Sequence, residues 1–217
     1  MLFLRMQLLL CAATEFEIKP VIDLISRQNR TDIRILITGV GLMATAYSLL
    51  KAITQNRPDF VIQAGVAGCL NEDLPLGKIV LVENETVGDL GVQEHGRFHS
   101  LFDLNLQQRN QFPWTNGKLH NNLKGLPQSG LKIVDGVSVN EITTDPERIG
   151  LYRDHFGASV ESMEGAALHY TCLMEQIPFL QFRSLSNFVG ERDKSKWVMG
   201  HAIAQLNHEL ERIINKF

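Results

Sequence analysis

Apolar positions along the chain gather into short runs separated by stretches of helical periodicity, and the two patterns alternate. Runs of strand length recur at Leu8–Ala12, Ile33–Thr38, Phe60–Ala64, Ile79–Val82, Leu131–Val134 and Phe179–Leu185, with the length and apolar density of buried strands. Between them, Glu15 to Ile25 carries Phe16, Val21, Leu24 and Ile25 at helix-like spacing, and Leu42 to Ile53 is rich in helix formers. Ile203, Leu206, Leu210, Ile213 and Phe217 form a terminal amphipathic stripe. Such alternation predicts an α/β fold in which helices cover both faces of a mostly buried sheet. From His95 to Gly130 the pattern gives way to Asn, Gln, Gly and Pro interspersed with Phe98, Phe102, Phe112 and Trp114, which predicts a long surface excursion.

Composition narrows the classes. The 217 residues, 44% of them hydrophobic, suffice for one substantial core, so one domain over 1–217 is expected. A net charge of -3 with interspersed signs offers no basic stripe for a nucleic acid and no polybasic cluster for a membrane surface. Cys11, Cys69 and Cys172 are isolated and odd in number, which suggests reduced thiols and a cytoplasmic protein rather than a disulfide framework or zinc site. Met1 to Leu10 has one charge before a very short apolar stretch and reads better as the first strand than as a signal peptide.

Local motifs are mostly weak. Gly39-Val40-Gly41-Leu42-Met43-Ala44 satisfies the dinucleotide fingerprint, but it follows the second strand, and Asp59 precedes its strand instead of closing one. A turn needing close backbone approach explains these glycines equally well. Gly65-Val66-Ala67-Gly68 reads as a second glycine turn at a strand end, and two such turns suggest one rim of a site. His95 and His99 have the spacing of a helical metal pair, but Gly96 lies between them in a loop-like stretch, so neither metal nor cofactor is implied. No serine sits in a G-x-S-x-G elbow. Glu17, just past the first strand, is a ligand-site candidate or an ordinary acid of a helix's first turn. Glu164 has the same two readings, and its carboxylate would suit a vicinal diol.

Taken together, Glu83 to Val92, the segment Glu161-Ser162-Met163-Glu164-Gly165-Ala166-Ala167 and the segment Arg183 to Gly190 resemble the nucleoside phosphorylase and nucleosidase superfamily, and within it the futalosine hydrolases. The resemblance runs from about Leu8 to the C-terminus. It implies a three-layer α/β/α domain with a mixed, mostly parallel central sheet, and a homodimer or larger homo-oligomer acting on a small nucleoside. It implies that Glu17 is catalytic, that Met163 and Glu164 hold the ribose, and that Gly65, Val66 and Ser186 also border the substrate. Asn187 falls where adenine-specific relatives carry an aspartate.

That amide carries chemical information. It can donate to N7 or O6 of a 6-oxopurine, whereas an ionised carboxylate would face O6 with repulsion. The implied reaction is hydrolysis of the N-ribosidic bond of futalosine in menaquinone biosynthesis, releasing hypoxanthine and the dehypoxanthine product, with Glu17 activating water and Asn187 assisting the leaving base. A 6-oxopurine nucleoside phosphorylase or inosine-type nucleosidase is the alternative, and a non-catalytic nucleoside-binding protein a further one. Val66 stands where a phosphorylase would offer a hydroxyl, which favours water as the nucleophile. For the 5' substituent, two candidate walls stay open: Arg192, Lys194, Lys196 and Trp197, or the aromatic excursion around Phe98 and Phe102.

Overall fold

The structure, a computed structural model, describes residues 6–124 and 130–216. Met1 to Arg5, residues 125–129 of the excursion and Phe217 of the terminal stripe lie outside the described residues.

Strand β1 (Leu8–Ala12) is buried throughout and leads into helix α1 (Glu15–Arg27); β2 (Ile33–Ile37) leads into α2 (Leu42–Gln55). Side-chain alternation along β1 separates two cores. Leu8, Leu10 and Ala12 pack with Ile18, Val21 and Ile25 of α1, while Leu9 and Cys11 pack with Leu49 and Ile53 of α2. Ile18, rather than Phe16, completes the buried stripe of α1, and Phe16 is 69% exposed.

The next strands are longer than their apolar runs predict. β3 spans Phe60–Cys69, β4 Ile79–Val87 and β9 Lys132–Ser138. Between β4 and β9, β5 (Gly91–Glu94) and β6 (Arg97–Ser100) form a hairpin, followed by the short β7 (Trp114–Thr115) and β8 (Lys118–His120). His95 and Gly96 occupy the hairpin tip with positive φ, and His99 lies on the returning strand, so the two histidines share no helical face. Helix α3 (Pro146–Gly150) runs into a wider π turn, after which come β10 (Val160–Ser162), α4 (Gly165–Met174), β11 (Phe179–Phe188) and α5 (Met199–Ile214). The α4 residues Leu168 and Cys172 join the α2 side, while Leu206, Leu210 and Ile213 of α5 join α1. The result is the expected three-layer α/β/α arrangement around a mixed sheet.

Two corrections concern the sheet. Gly65 to Gly68 is not a turn: it lies inside β3, paired with β11 along nearly its whole length. The glycines answer to close approach instead, because a methyl group at Gly65 would sit 2.6 Å from Arg183 Nη1. The sheet also does not simply stay open. β11 pairs with both β3 and β4, and β4 returns to β3 through β9 and β10, so five strands close into a ring. Among the described residues no helix is long and apolar enough to cross a membrane.

Candidate active site

The ends of β1, β3, β10 and β11 converge on a cavity of ≈ 310 Å³, within the size range of small-molecule sites. Glu17, Val66, Met163, Glu164, Ser186 and Asn187 all line it. Gly65, expected on the rim, is not among the lining residues and stands behind it, against Glu17 and Arg183.

Local sequence builds the first corner. Thr14-x-x-Glu17 is a capping box at the start of α1. Glu17 Oε2 accepts from the Thr14 amide and from Thr14 Oγ1, both at 3.0 Å. Its Oε1 accepts from the Val66 amide at 3.0 Å. The two readings of Glu17 left open by its spacing are therefore compatible: the helix-capping acid is also a cavity acid. Three hydrogen bonds fix the carboxylate plane, and of its roughly four acceptor sites one remains.

Glu164 caps α4. One of its oxygens accepts from the Gly41 amide at 3.2 Å and the other lies 3.6 Å from Arg183 Nη1. The Gly39-Val40-Gly41 turn thus approaches a carboxylate, with both glycines at positive φ (83° and 98°) where side chains are disfavoured. Arg183, 1% exposed in the middle of β11, also donates from Nη2 to Gln63 Oε1 at 2.8 Å. Its guanidinium ties Glu164 to the sheet.

A second polar layer lies below α4. Glu85, fully buried, accepts from Gln181 Nε2 at 2.8 Å and from Ser138 Oγ at 2.9 Å, and Ser138 Oγ accepts in turn from the Ala166 amide of α4. A side chain at Gly165 would collide with Glu85 and Gln181, which accounts for the glycine directly after Glu164. Burial pushes the Glu85 carboxyl up to about 7, against the opposing pull of Gln181, Arg183 and Ser138. His169, also buried, is pushed down to about 3 by desolvation and stays neutral near pH 7.

At the opposite end, Asn187 follows a register shift in the pairing of β11 with β3 between Leu185 and Asn187, an irregularity that re-aims a side chain. Ser186 Oγ donates to Asn187 Oδ1 at 2.7 Å, and Asn187 Nδ2 donates to the Phe188 carbonyl at 3.0 Å. One Nδ2 hydrogen therefore stays available to a ligand. Glu161 also lines the cavity.

Of the two candidate walls for a 5' substituent, Arg192 and Trp197 border this cavity, with the Arg192 guanidinium 5.8 Å from the Trp197 ring centre. Lys196 instead pairs with Glu191. Phe102 belongs to a separate cavity of ≈ 240 Å³, in edge contact with Trp114, and Phe98 packs on Phe156. Arg183, Glu85 and Glu161 carried no assigned role in the sequence, although Arg183 stands out there as a charged residue within an apolar strand-like run.

The chain is 32% identical over 182 residues to the futalosine hydrolase of Thermus thermophilus, covering 82% of this chain and 80% of that protein. It is 28% identical over 185 residues to the futalosine hydrolase of Streptomyces coelicolor, covering 82% and 77%. The native futalosine hydrolase structure of Helicobacter pylori superposes with a TM-score of 0.79 at 16% identity, over 98% of this chain and 99% of that one; at that identity the likeness concerns the fold. Residues 18–215 match the family model of the phosphorylase superfamily, and the chain belongs to that superfamily.

Proposed function

We propose that this protein is a nucleosidase that hydrolyses the N-ribosidic bond of futalosine and releases hypoxanthine, a step of menaquinone biosynthesis. The observation that carries the reading is the Glu17 carboxylate, held by three hydrogen bonds on the wall of a cavity that also contains Glu164 and the Asn187 amide. The remaining acceptor site of Glu17 suits a water at the anomeric carbon, which the carboxylate orients and deprotonates as positive charge develops on the sugar. Glu164, braced by Gly41 and Arg183, accepts from the ribose hydroxyls, and Met163 packs against the sugar. Ser186 holds the Asn187 amide so that its spare hydrogen meets N7 or O6 of the departing base, while solvent protonates the leaving group.

Water rather than phosphate is the nucleophile in this reading. Val66 offers no hydroxyl, and beside it the Gly41 amide is engaged on Glu164 and Arg183 is shared between Gln63 and Glu164. The Arg192 and Trp197 wall suits a 5' substituent with an aromatic carboxylate, through cation and ring contacts. The whole chain acts as one domain in the cytoplasm, in keeping with its three free, buried cysteines. Met43, Tyr47 and Leu50 stand exposed along one face of α2 and favour a homo-oligomer; sedimentation as a monomer would count against that assembly.

The test is chromatographic. Futalosine and inosine, each with and without phosphate, are incubated with the protein and hypoxanthine is quantified. Phosphate-independent release from futalosine is expected. Release only with phosphate would make the protein a phosphorylase, and none from either substrate would leave a nucleoside-binding protein.

A further inference from the structure

Beneath α4, two buried acceptors are left without a hydrogen to share. His169 of α4 is fully buried, and its Nδ1 lies 3.1 Å from the Leu119 carbonyl, which can only accept, so Nδ1 carries the ring hydrogen. Burial keeps the ring neutral near pH 7, and Nε2 is therefore a bare lone pair. The side chain of Gln181, also fully buried, lies against this ring and acts on it. Its Nε2 is turned the other way and donates to Glu85 Oε1 at 2.8 Å, which leaves Oε1 for the histidine side. Neither His169 Nε2 nor Gln181 Oε1 meets a hydrogen-bond partner among the described residues. Leaving two such atoms buried is costly. A half-turn of the amide removes the mismatch, because Nε2 then donates to His169 and Oε1 faces Glu85. The two ends of an amide have nearly the same shape, so the packing is unchanged. The turned amide requires one thing more, a hydrogen on Glu85 Oε1, since two bare oxygens would otherwise meet.

We infer that Gln181 is a proton-coupled amide switch. With Glu85 protonated, its O–H donates to Gln181 Oε1 and Gln181 Nε2 donates to His169 Nε2; when Glu85 releases that proton to solvent, the amide turns back and donates to the carboxylate. Ser138 serves both states, since its hydroxyl donates to Glu85 Oε2, which the protonated acid keeps free to accept. Desolvation raises the Glu85 carboxyl to about 7, so the switch works near neutral pH. Around Glu85, β11 brings Arg183, and α4 brings Glu164 at its head and the neutral His169 beyond the amide. From the remaining neighbours, β9 presents Ser138, and His120 of β8 is turned to Asn84. The proton therefore decides whether Arg183, 3.6 Å from Glu164, faces one buried carboxylate or two. An ionised Glu85 draws the guanidinium from Glu164 and repels that acid, which loosens it on the cavity wall.

Nitrogen NMR of the His169 ring tests the switch with no substrate present. Protein with isotopically labelled imidazoles is followed from about pH 5 to about pH 9. His169, the one buried histidine among the described residues, is identified by a ring that stays neutral across this range. Its Nε2 resonance should move upfield as pH falls through about 7, as a bare ring nitrogen does when it begins to accept a hydrogen bond, while Nδ1 stays protonated. Glu85→Gln carries a permanent donor toward Gln181 Oε1, so its Nε2 resonance should hold the low-pH position throughout. A wild-type signal that does not move, or one that moves alike in Glu85→Gln, would overturn the inference. The link to the cavity rests on the nucleosidase reading and is measured separately. Between about pH 6 and about pH 8, KM for futalosine should rise about 3- to 10-fold more in the wild type than in Glu85→Gln, the effect of a coupling of about half to one pK unit. Equal pH dependence in the two proteins would overturn that link. A protein that turned over no futalosine, yet showed the Glu85-dependent shift, would sink the hydrolase reading and uphold the switch.

Discussion

Replacing Gly65 with alanine tests whether the placement of Glu17 governs turnover. The added methyl group would lie 2.6 Å from Arg183 Nη1 and 2.9 Å from Glu17 Oε1, where ordinary contact begins at 3.4 Å. Both groups must retreat, the guanidinium by about 0.8 Å and the carboxylate by about 0.5 Å, as the difference between these distances requires for close-packed atoms. Neither is a loose side-chain end. Arg183 is 1% exposed and bound to Gln63, while Glu17 is held by Thr14 and by the Val66 amide next to the substitution. A carboxylate displaced by this amount weakens its bond from Val66 and misdirects the site left for water. Misplacement on the order of 1 Å lowers turnover about 10²-fold, so a kcat loss of about 30- to 100-fold is expected for Gly65→Ala. The fold should survive, because Gly65 has no positive φ and alanine is otherwise tolerated in a strand. Steady-state hypoxanthine release is measured beside a thermal melt. A folded variant with kcat within about 3-fold of wild type would refute the claim that the Glu17 position limits the reaction.

Three further outcomes follow from the same geometry. Glu17→Gln should lower kcat by about 10²- to 10⁴-fold, the range of a lost general base, and a near-normal rate would remove Glu17 from that role. Asn187→Asp places a carboxylate oxygen against the Phe188 carbonyl that Asn187 Nδ2 now meets at 3.0 Å and against O6 of the base; kcat/KM for 6-oxopurine nucleosides should fall, and unchanged kinetics on both 6-oxo and 6-amino substrates would contradict the base-reading argument. Glu85 bears on stability, because its folded value is raised by burial from 4.5 to about 7. Its contribution is complete below about pH 4.5, is lost as pH climbs to about 7 and is flat above, amounting at most to about 3 kcal/mol. In Glu85→Gln the slope of stability against pH across that window should become less negative by the Glu85 share, while Glu161 acts in the same sense and His169, lowered to about 3, in the opposite sense below about pH 6.5. A denaturant titration at a series of pH values decides it, and an unaltered slope would show that Glu85 is not the titrating group.

The sequence by itself determined what depends on neighbours along the chain. Strand positions follow from apolar runs, and β1 coincides with its run at both ends because every one of its residues is buried. Glu17 is a local product as well, since Thr14-x-x-Glu17 caps α1 and sets the carboxylate beside the strand end. The Met163-Glu164-Gly165 and Asn187 segments carry a family resemblance in their own residues, which pointed to a nucleoside before any contact was known. Tertiary structure alone decided the meaning of the glycines. Gly65 and Gly68 look like a turn in sequence, but they lie inside β3 because Arg183, Glu17 and Val189, all distant along the chain, need the space that side chains would fill. Ring closure was equally illegible, as nothing within β11 announces that it pairs with β3 on one edge and β4 on the other. The meeting of Glu85 with Gln181 and Ser138 exists only through strand register, in which a shift by one residue would turn each side chain to the opposite face. Local patterning selects elements, whereas the long-range pairing that sets register selects which residues of those elements meet in the cavity.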